Sequence, residues 1–558
     1  MMKKRMFKPV ATTALAVLLL GLFSFTTSEN SETSRRYFEI AKNLEIFATL
    51  YKEVNTYYVD EVNPNELIKT GIDAMLKSLD PYTNYIPEDD IEDYRTMTTG
   101  EYGGIGSVIG RRNGKNIIIM PYKDFPAEKS GLKIADEIIS IDGINVEDKN
   151  TEEVSKLLKG QANTTLEIEV KRHDQDETIH LPIKREKITL KNVPFHGMLN
   201  EDVGYIKLSD FTTGAGKEVK SALKELKEQG AQKIVLDLRG NPGGLLNEAV
   251  NVSNVFIDKG LEVVSTKGKV QDWNKTYKAL NSAADTEIPL AVLTSDRSAS
   301  AAEIVSGVIQ DYDRGVLIGE RTFGKGLVQA TRPLTYNSQL KVTTAKYYIP
   351  SGRCIQAIDY SHKVNGHAEK VPDSLKTAFS TRAGRVVYDG NGIAPDMTVE
   401  REELSPIAVS LMAKGLFFDY ATEYYYENKD EKVVPKTYAI SDQQYDEFKE
   451  WLSDKDYDYT TNAENTLEKL QKITATGRYD ENVKTQLEAL ETAISHNKEK
   501  DLDTYSDEVR HLLAQEIVSR HFLSEGIIEA SFKEDPDIAK AIDILNDQEA
   551  YQEVLTKK

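Results

Sequence analysis

The chain has 558 residues, more than one hydrophobic core sustains, so roughly three or four domains are expected. Its net charge of -20, from 90 acidic against 70 basic side chains, argues against nucleic acid, whose phosphates recruit basic surface. A single cysteine, Cys354, rules out a disulfide within the chain and a thiolate metal cluster. The eight histidines form no His-Glu-x-x-His pair, so no metal or other cofactor is expected.

Lys3, Lys4, Arg5 and Lys8 make a basic start, and an apolar stretch follows at 10–25. That order matches a secretory signal within residues 1–28. The run Phe25-Thr-Thr-Ser28 is not a clean small-x-small cleavage site, and the apolar stretch is short for a full membrane span. Cleavage and retention as an N-terminal anchor both stay open. The expected location is outside the cytoplasm: periplasmic, or held at the inner membrane and facing the periplasm.

Residues 37–79 read as helical, with Ile40, Leu44, Phe47, Leu50 and Tyr51 at three and four spacing, and 80–87 is a turn-rich break. This defines an N-terminal helical region at 35–97. From 98 to 187 the period becomes that of strands, at 117–120 and 165–170, with a short helix at 151–158 between them. Residues 188–400 alternate. Strands are predicted at 204–208, 233–238, 290–294 and 316–319, and helices at 216–228, 247–256 and 301–312, which is the pattern of an α/β layer architecture. Residues 401–558 are helical and charged, with amphipathic spacing at Leu487, Leu490, Ala493 and Ile494, and carry no catalytic motif.

Ser300 falls where a buried strand gives way to a helix, in Ser298-Ala-Ser-Ala-Ala-Glu-Ile304. A serine there either caps the helix or acts as a nucleophile whose oxyanion meets free N–H groups at the positive helix end. The small neighbours Ala299, Ala301 and Ala302 let a substrate backbone approach. A hydroxyl nucleophile needs a base, and the candidate is Lys325 in Thr322-Phe-Gly-Lys-Gly-Leu-Val-Gln329. In an extended run Lys325, Leu327 and Gln329 share a face. Burial would favour the neutral amine a base requires, and Gln329 could hold that amine without adding charge. A solvated lysine at a strand edge is the plainer alternative. Asp237-Leu-Arg-Gly-Asn-Pro-Gly-Gly244 follows an apolar strand, and the N–H groups of Gly243, Gly244 and Ala301 could form an oxyanion hole. Otherwise that segment is a plain turn. Glu101-Tyr-Gly-Gly-Ile-Gly106 opens the β-rich module. A loop of Gly103, Gly104, Ile105 and Gly106 before a strand can offer N–H groups to a carboxylate, with the strand edge free to pair with a peptide.

Together these stretches, with Tyr348-Ile-Pro-Ser-Gly-Arg353 and Gly392-Ile-Ala-Pro-Asp396, resemble the C-terminal processing, or tail-specific, serine peptidases over about residues 35–400. The resemblance implies a multidomain α/β protein. It has a PDZ domain at 98–187, a crotonase-like peptidase core at 188–400 and a helical C-terminal extension at 401–558. It also implies Ser300 as nucleophile, Lys325 as general base, Gln329 as the supporting glutamine, and Gly243 or Gly244 with Ala301 as oxyanion donors. The loop of Gly103 to Gly106 matches the carboxylate-binding loop of the PDZ module. Protein or peptide substrates with accessible C-termini are the implied partners, and residues 401–558 are expected to serve docking or assembly, in a homo-oligomer or with an adaptor. Arg297 and Ala302 depart from the family's usual Gly-Ser-Ala-Ser-Ala-Ser. Two other readings stand beside this one: a non-catalytic PDZ scaffold that recruits tails to another protease, and an acyl-thioester enzyme built on the crotonase-like core.

Overall fold

The computed structural model describes residues 10–556 apart from 365–366, 401–402, 478, 480 and 495–497. The basic residues Lys3 to Lys8 lie outside that set. The backbone of 10–25 belongs to a helix, Val10–Tyr57. Among the described residues no helix is long and apolar enough to cross a membrane. The chain forms two compact units, one ending at Tyr85 and the other beginning at Ile86.

The first unit holds that helix and a second, Pro64–Lys77. Asn63 caps the second by accepting the Asn65 N–H, and Pro64 takes the first turn, where no N–H is needed.

Within the second unit, residues 107–184 fold around a small antiparallel sheet. Its strands run in the order Ser107–Arg112, Lys115–Pro121, Glu137–Ile141, Thr165–Lys171 and Ile179–Lys184. Alternating apolar positions such as Leu166, Ile168 and Val170 point inward onto Val154 and Leu158 of the helix Thr151–Leu158. Asn150 and Glu153 start that helix with reciprocal cap bonds. Ser107–Arg112 is an edge strand, paired only with Lys115–Pro121 among the described residues. Glu101–Gly104 pairs antiparallel with Glu186–Thr189, so both ends of this module leave side by side.

The larger module is built on a sheet of six strands among the described residues. Phe195–Met198 is antiparallel to Val203–Lys207; then Lys233–Asp237, Leu290–Thr294, Val316–Gly319 and Met397–Thr398 follow in parallel. Parallel strands need crossover helices. Ala215–Glu228, Leu246–Phe256 and Ala301–Asp311 supply them and pack on one face through Val219, Leu223, Val252 and Val305. The opposite face carries Phe195, Tyr205, Val235, Leu293 and Ile318. The last two helices, Pro536–Asn546 and Gln548–Thr556, cover it with Ile538, Ala541, Ile544 and Tyr551. The C-terminal segment is therefore one layer of the core as well as an appendage. Its earlier helices, including Pro406–Ala413, Leu416–Glu427 and Asp442–Leu452, make a separate aromatic-rich core with the long helix Ser506–Ser531.

A second sheet flanks the large module and was only partly foreshadowed by the sequence. Glu262–Gly268 pairs with Lys275–Lys278 and with Gln339–Tyr348, and the latter forms a hairpin with Leu327–Pro333.

Candidate active site

Ser300 ends the loop between the strand Leu290–Thr294 and the helix Ala301–Asp311. Its φ of 56° and ψ of -112° lie where a non-glycine residue is strained, so neighbouring bonds must hold it there. Ser298, fully buried, donates from Oγ to the Leu238 carbonyl at 2.8 Å and accepts the Ser295 N–H at 2.9 Å. The Ala299 N–H donates to the Asn241 carbonyl at 2.9 Å. The serine turn is thereby stitched to the Asp237–Gly244 turn.

A second set of bonds ties Ser300 to the lysine loop through Glu303, whose side chain is fully buried. One carboxylate oxygen accepts the Ser300 N–H at 2.8 Å and the Lys325 N–H at 2.9 Å. The other accepts the Thr322 hydroxyl at 2.6 Å and the Gly324 N–H at 2.7 Å. Burial pushes its carboxyl up to about 7, and these donors offset only part of that rise. The Tyr347 hydroxyl lies 2.7 Å from the Lys325 carbonyl and 3.2 Å from that of Ser300, so its proton serves one of the two at a time. Neither Glu303 nor Tyr347 was assigned a role from the sequence. For Glu303 a signal existed: Ser300-Ala-Ala-Glu303 has the spacing of a capping box, and the Glu303 half of that box forms. Tyr347 comes from a distant strand and left no local trace.

Ser300, Ala301, Lys325, Gln329, Gly243 and Gly244 all line one cavity of about 360 Å³. Its walls also include Phe211, Leu246, Ile304, Leu327 and Val328, which are apolar. The expected alternation of Lys325, Leu327 and Gln329 is broken by a register shift between Val328 and Gln329, so Val328 faces the cavity too. The Gln329 amide donates to Thr343 Oγ1 at 3.2 Å. Of the three expected oxyanion donors, Gly243 is committed elsewhere in this conformation: its N–H donates to Asn241 Oδ1 at 2.8 Å. A Cβ at Gly243 would stand 2.6 Å from the Ala299 carbonyl oxygen, which explains glycine there as a packing requirement.

Asp237 lies beneath this floor, 1% exposed. Arg239 grips it at 2.6 Å, Tyr205 donates to it at 2.7 Å and Lys207 stands 3.3 Å away. Burial alone would raise this carboxyl, but the two cations outweigh it and hold it well below the ordinary range. The same Arg239 reaches Asp535 and Asp537 at the start of the helix Pro536–Asn546, at 2.8 and 2.9 Å, and so ties the floor to the C-terminal layer.

Gly103, Gly104, Ile105 and Gly106 lie outside the cavity, in the smaller module. Gly106 turns the chain with φ of 75° into the edge strand Ser107–Arg112, while the Ile105 and Gly106 carbonyls accept from Ala127 and Tyr122. Ile105 is buried in the module's core.

Comparison with known proteins agrees with this layout. Residues 202–364 match peptidase family S41, residues 118–172 a PDZ domain, and residues 407–545 the C-terminal helical domain of probable PDZ-proteases. The chain is 35% identical over 362 residues to a carboxy-terminal-processing protease of Bartonella bacilliformis, covering 64% of this chain and 81% of that one. It is 37% identical over 354 residues to a probable CtpA-like serine protease of Staphylococcus aureus, covering 63% and 70%. Among solved structures, a photosystem II D1 C-terminal processing protease is 26% identical with a TM-score of 0.34, over 64% of this chain and 94% of that one. At 35% identity over 81% of the Bartonella protein, and with the peptidase and PDZ matches in order along the sequence, the chain belongs to peptidase family S41, the carboxy-terminal-processing serine peptidases.

Proposed function

We propose that this enzyme is an exported endopeptidase that captures protein C-terminal tails in its PDZ domain and hydrolyses peptide bonds with a Ser300–Lys325 dyad. The carrying observation is the strained Ser300 at a helix N-terminus on the same cavity as Lys325, with one buried carboxylate bonded to both backbones. The neutral Lys325 amine takes the Oγ proton as Ser300 attacks the scissile carbonyl. The N–H groups of Ala301 and Gly244 receive the oxyanion, and Gly243 serves by its lack of a side chain. Lys325 then returns the proton to the leaving amine, and water, activated the same way, releases the acyl group from Ser300.

Tail capture is supported by the edge strand Ser107–Arg112, which can accept an extended peptide as a further strand next to the helix Thr151–Leu158. The loop from Gly103 to Gly106 would then meet the terminal carboxylate. Export rests on the basic and apolar N-terminal sequence; a reporter fused after Ser28 and recovered from the cytoplasm alone would refute it.

Ser300→Ala and Lys325→Ala test the dyad against a denatured protein substrate. Each should lower cleavage by at least about 10²–10⁴-fold while thermal melting stays cooperative. Full turnover in either variant would refute the assignment.

A further inference from the structure

The cavity at Ser300 holds a second lysine that the dyad does not use. Lys341 sits on the strand Gln339–Tyr348, opposite Thr331 of the hairpin, and its side chain is half-buried in the cavity wall. Its ammonium makes no hydrogen bond or ion pair among the described residues. Burial lowers its affinity for a proton, and no carboxylate stands close enough to offset that effect. Asp210 is the acid on the same cavity; the residue is exposed overall, burial still raises its carboxyl, and it makes no ion pair with Lys341. The rest of the cavity wall offers no other carboxylate: it is apolar at Phe211, Leu246 and Val328, hydroxyl-bearing at Tyr94, and otherwise carries the Gln329 amide and the Lys325 amine. An ammonium drawn from water without a partner costs free energy, and lysine is among the residues least often buried unpaired. A carboxylate from outside the chain would supply that partner, and under the dyad reading what enters this cavity is the substrate.

The hairpin sets the distance. Thr331, opposite Lys341, follows Lys325 by six residues in the chain; at no more than about 3.3 Å per residue their separation is roughly 20 Å or less, which an extended peptide spans in about six residues. We propose that Lys341 is a specificity-determining residue that binds a carboxylate of the substrate within about six residues of the bond that is cut. This rests on the Ser300–Lys325 reading. The carboxylate belongs either to an Asp or Glu side chain or to the substrate's own C-terminus, since both offer the same two acceptor oxygens.

The test is a peptide series in which Glu is walked through the positions on each side of the scissile bond, with Gln as its neutral match. Each peptide is made as the free acid and as the C-terminal amide. For the wild type, kcat/KM should favour Glu over Gln at one position by about tenfold or more. Lys341→Met should lose that preference, Lys341→Arg should keep it, and Lys341→Glu should favour Lys there instead. If the free acid outpaces the amide in the wild type and in Lys341→Arg but not in Lys341→Met, the carboxylate is the chain terminus. Identical Glu-to-Gln and acid-to-amide ratios in the wild type and in Lys341→Met would overturn the proposal, provided both melt alike. Ser300→Ala, run in parallel, separates the two readings. Cleavage by that variant would refute the dyad, while the ratios would still report on Lys341.

Discussion

At Glu303 a single carboxylate accepts four hydrogen bonds and so fixes the spacing between the serine turn and the lysine loop. Glu303→Gln keeps the shape but turns an NH₂ group toward two of those donors. It should cost about 1–3 kcal/mol of stability and at least about tenfold in kcat, with KM for a small peptide little changed. Urea denaturation and steady-state kinetics check both. The sign of the pH dependence follows from the raised carboxyl. Its value is about 7 in the folded state against 4.5 ordinarily, so the folded protein holds this proton more tightly. The resulting stability is complete below pH 4.5 and is lost as pH rises through 7. Wild-type stability should therefore fall relative to that of Glu303→Gln over that interval, as thermal melts at a series of pH values would show; a difference that does not change with pH would refute the assignment.

At the scale of elements, the site depends on loops packed too closely for side chains. Gly324, with φ of 89°, precedes Lys325, and a Cβ there would stand 2.4 Å from the Ala357 Cβ. Gly324→Ala should destabilise by roughly 1–3 kcal/mol and displace Lys325, with activity falling more steeply than stability. A variant with unchanged kcat would show that the loop has room to move. The edge strand Ser107–Arg112 is a different kind of element: among the described residues it is paired on one side only, and the other edge is left open.

For the whole molecule, the C-terminal segment is a structural clamp on both other modules of its unit. It closes the core sheet through Ile538 and its neighbours, and it holds the PDZ domain through Arg112, which binds Asp419 at 2.6 Å. Lys123 with Glu525, at 2.6 Å, and His173 stacked on Tyr426 add to that contact. Ile538 is 1% exposed, so Ile538→Ala should cost about 2–5 kcal/mol and lower the melting temperature of the peptidase core, although the residue is far from Ser300 in sequence. A melting temperature equal to the wild type would show that the C-terminal layer is not part of the cooperative core.

The strands at 233–238, 290–294 and 316–319 and the helices at 151–158, 216–228 and 301–312 were legible from the sequence, because local hydrophobic period and caps specify them within a few residues. The serine and lysine motifs were legible for the same reason: each is a contiguous run with its own turn chemistry. Tertiary structure decided what joins them. Glu303 and Tyr347 bond both loops, Gly243 donates its N–H to Asn241, Lys341 lines the cavity from its place opposite Thr331, and the last helices close a sheet begun at Phe195. These depend on contacts between residues far apart in the chain, where no periodicity carries information and only the packed fold sets which donor meets which acceptor.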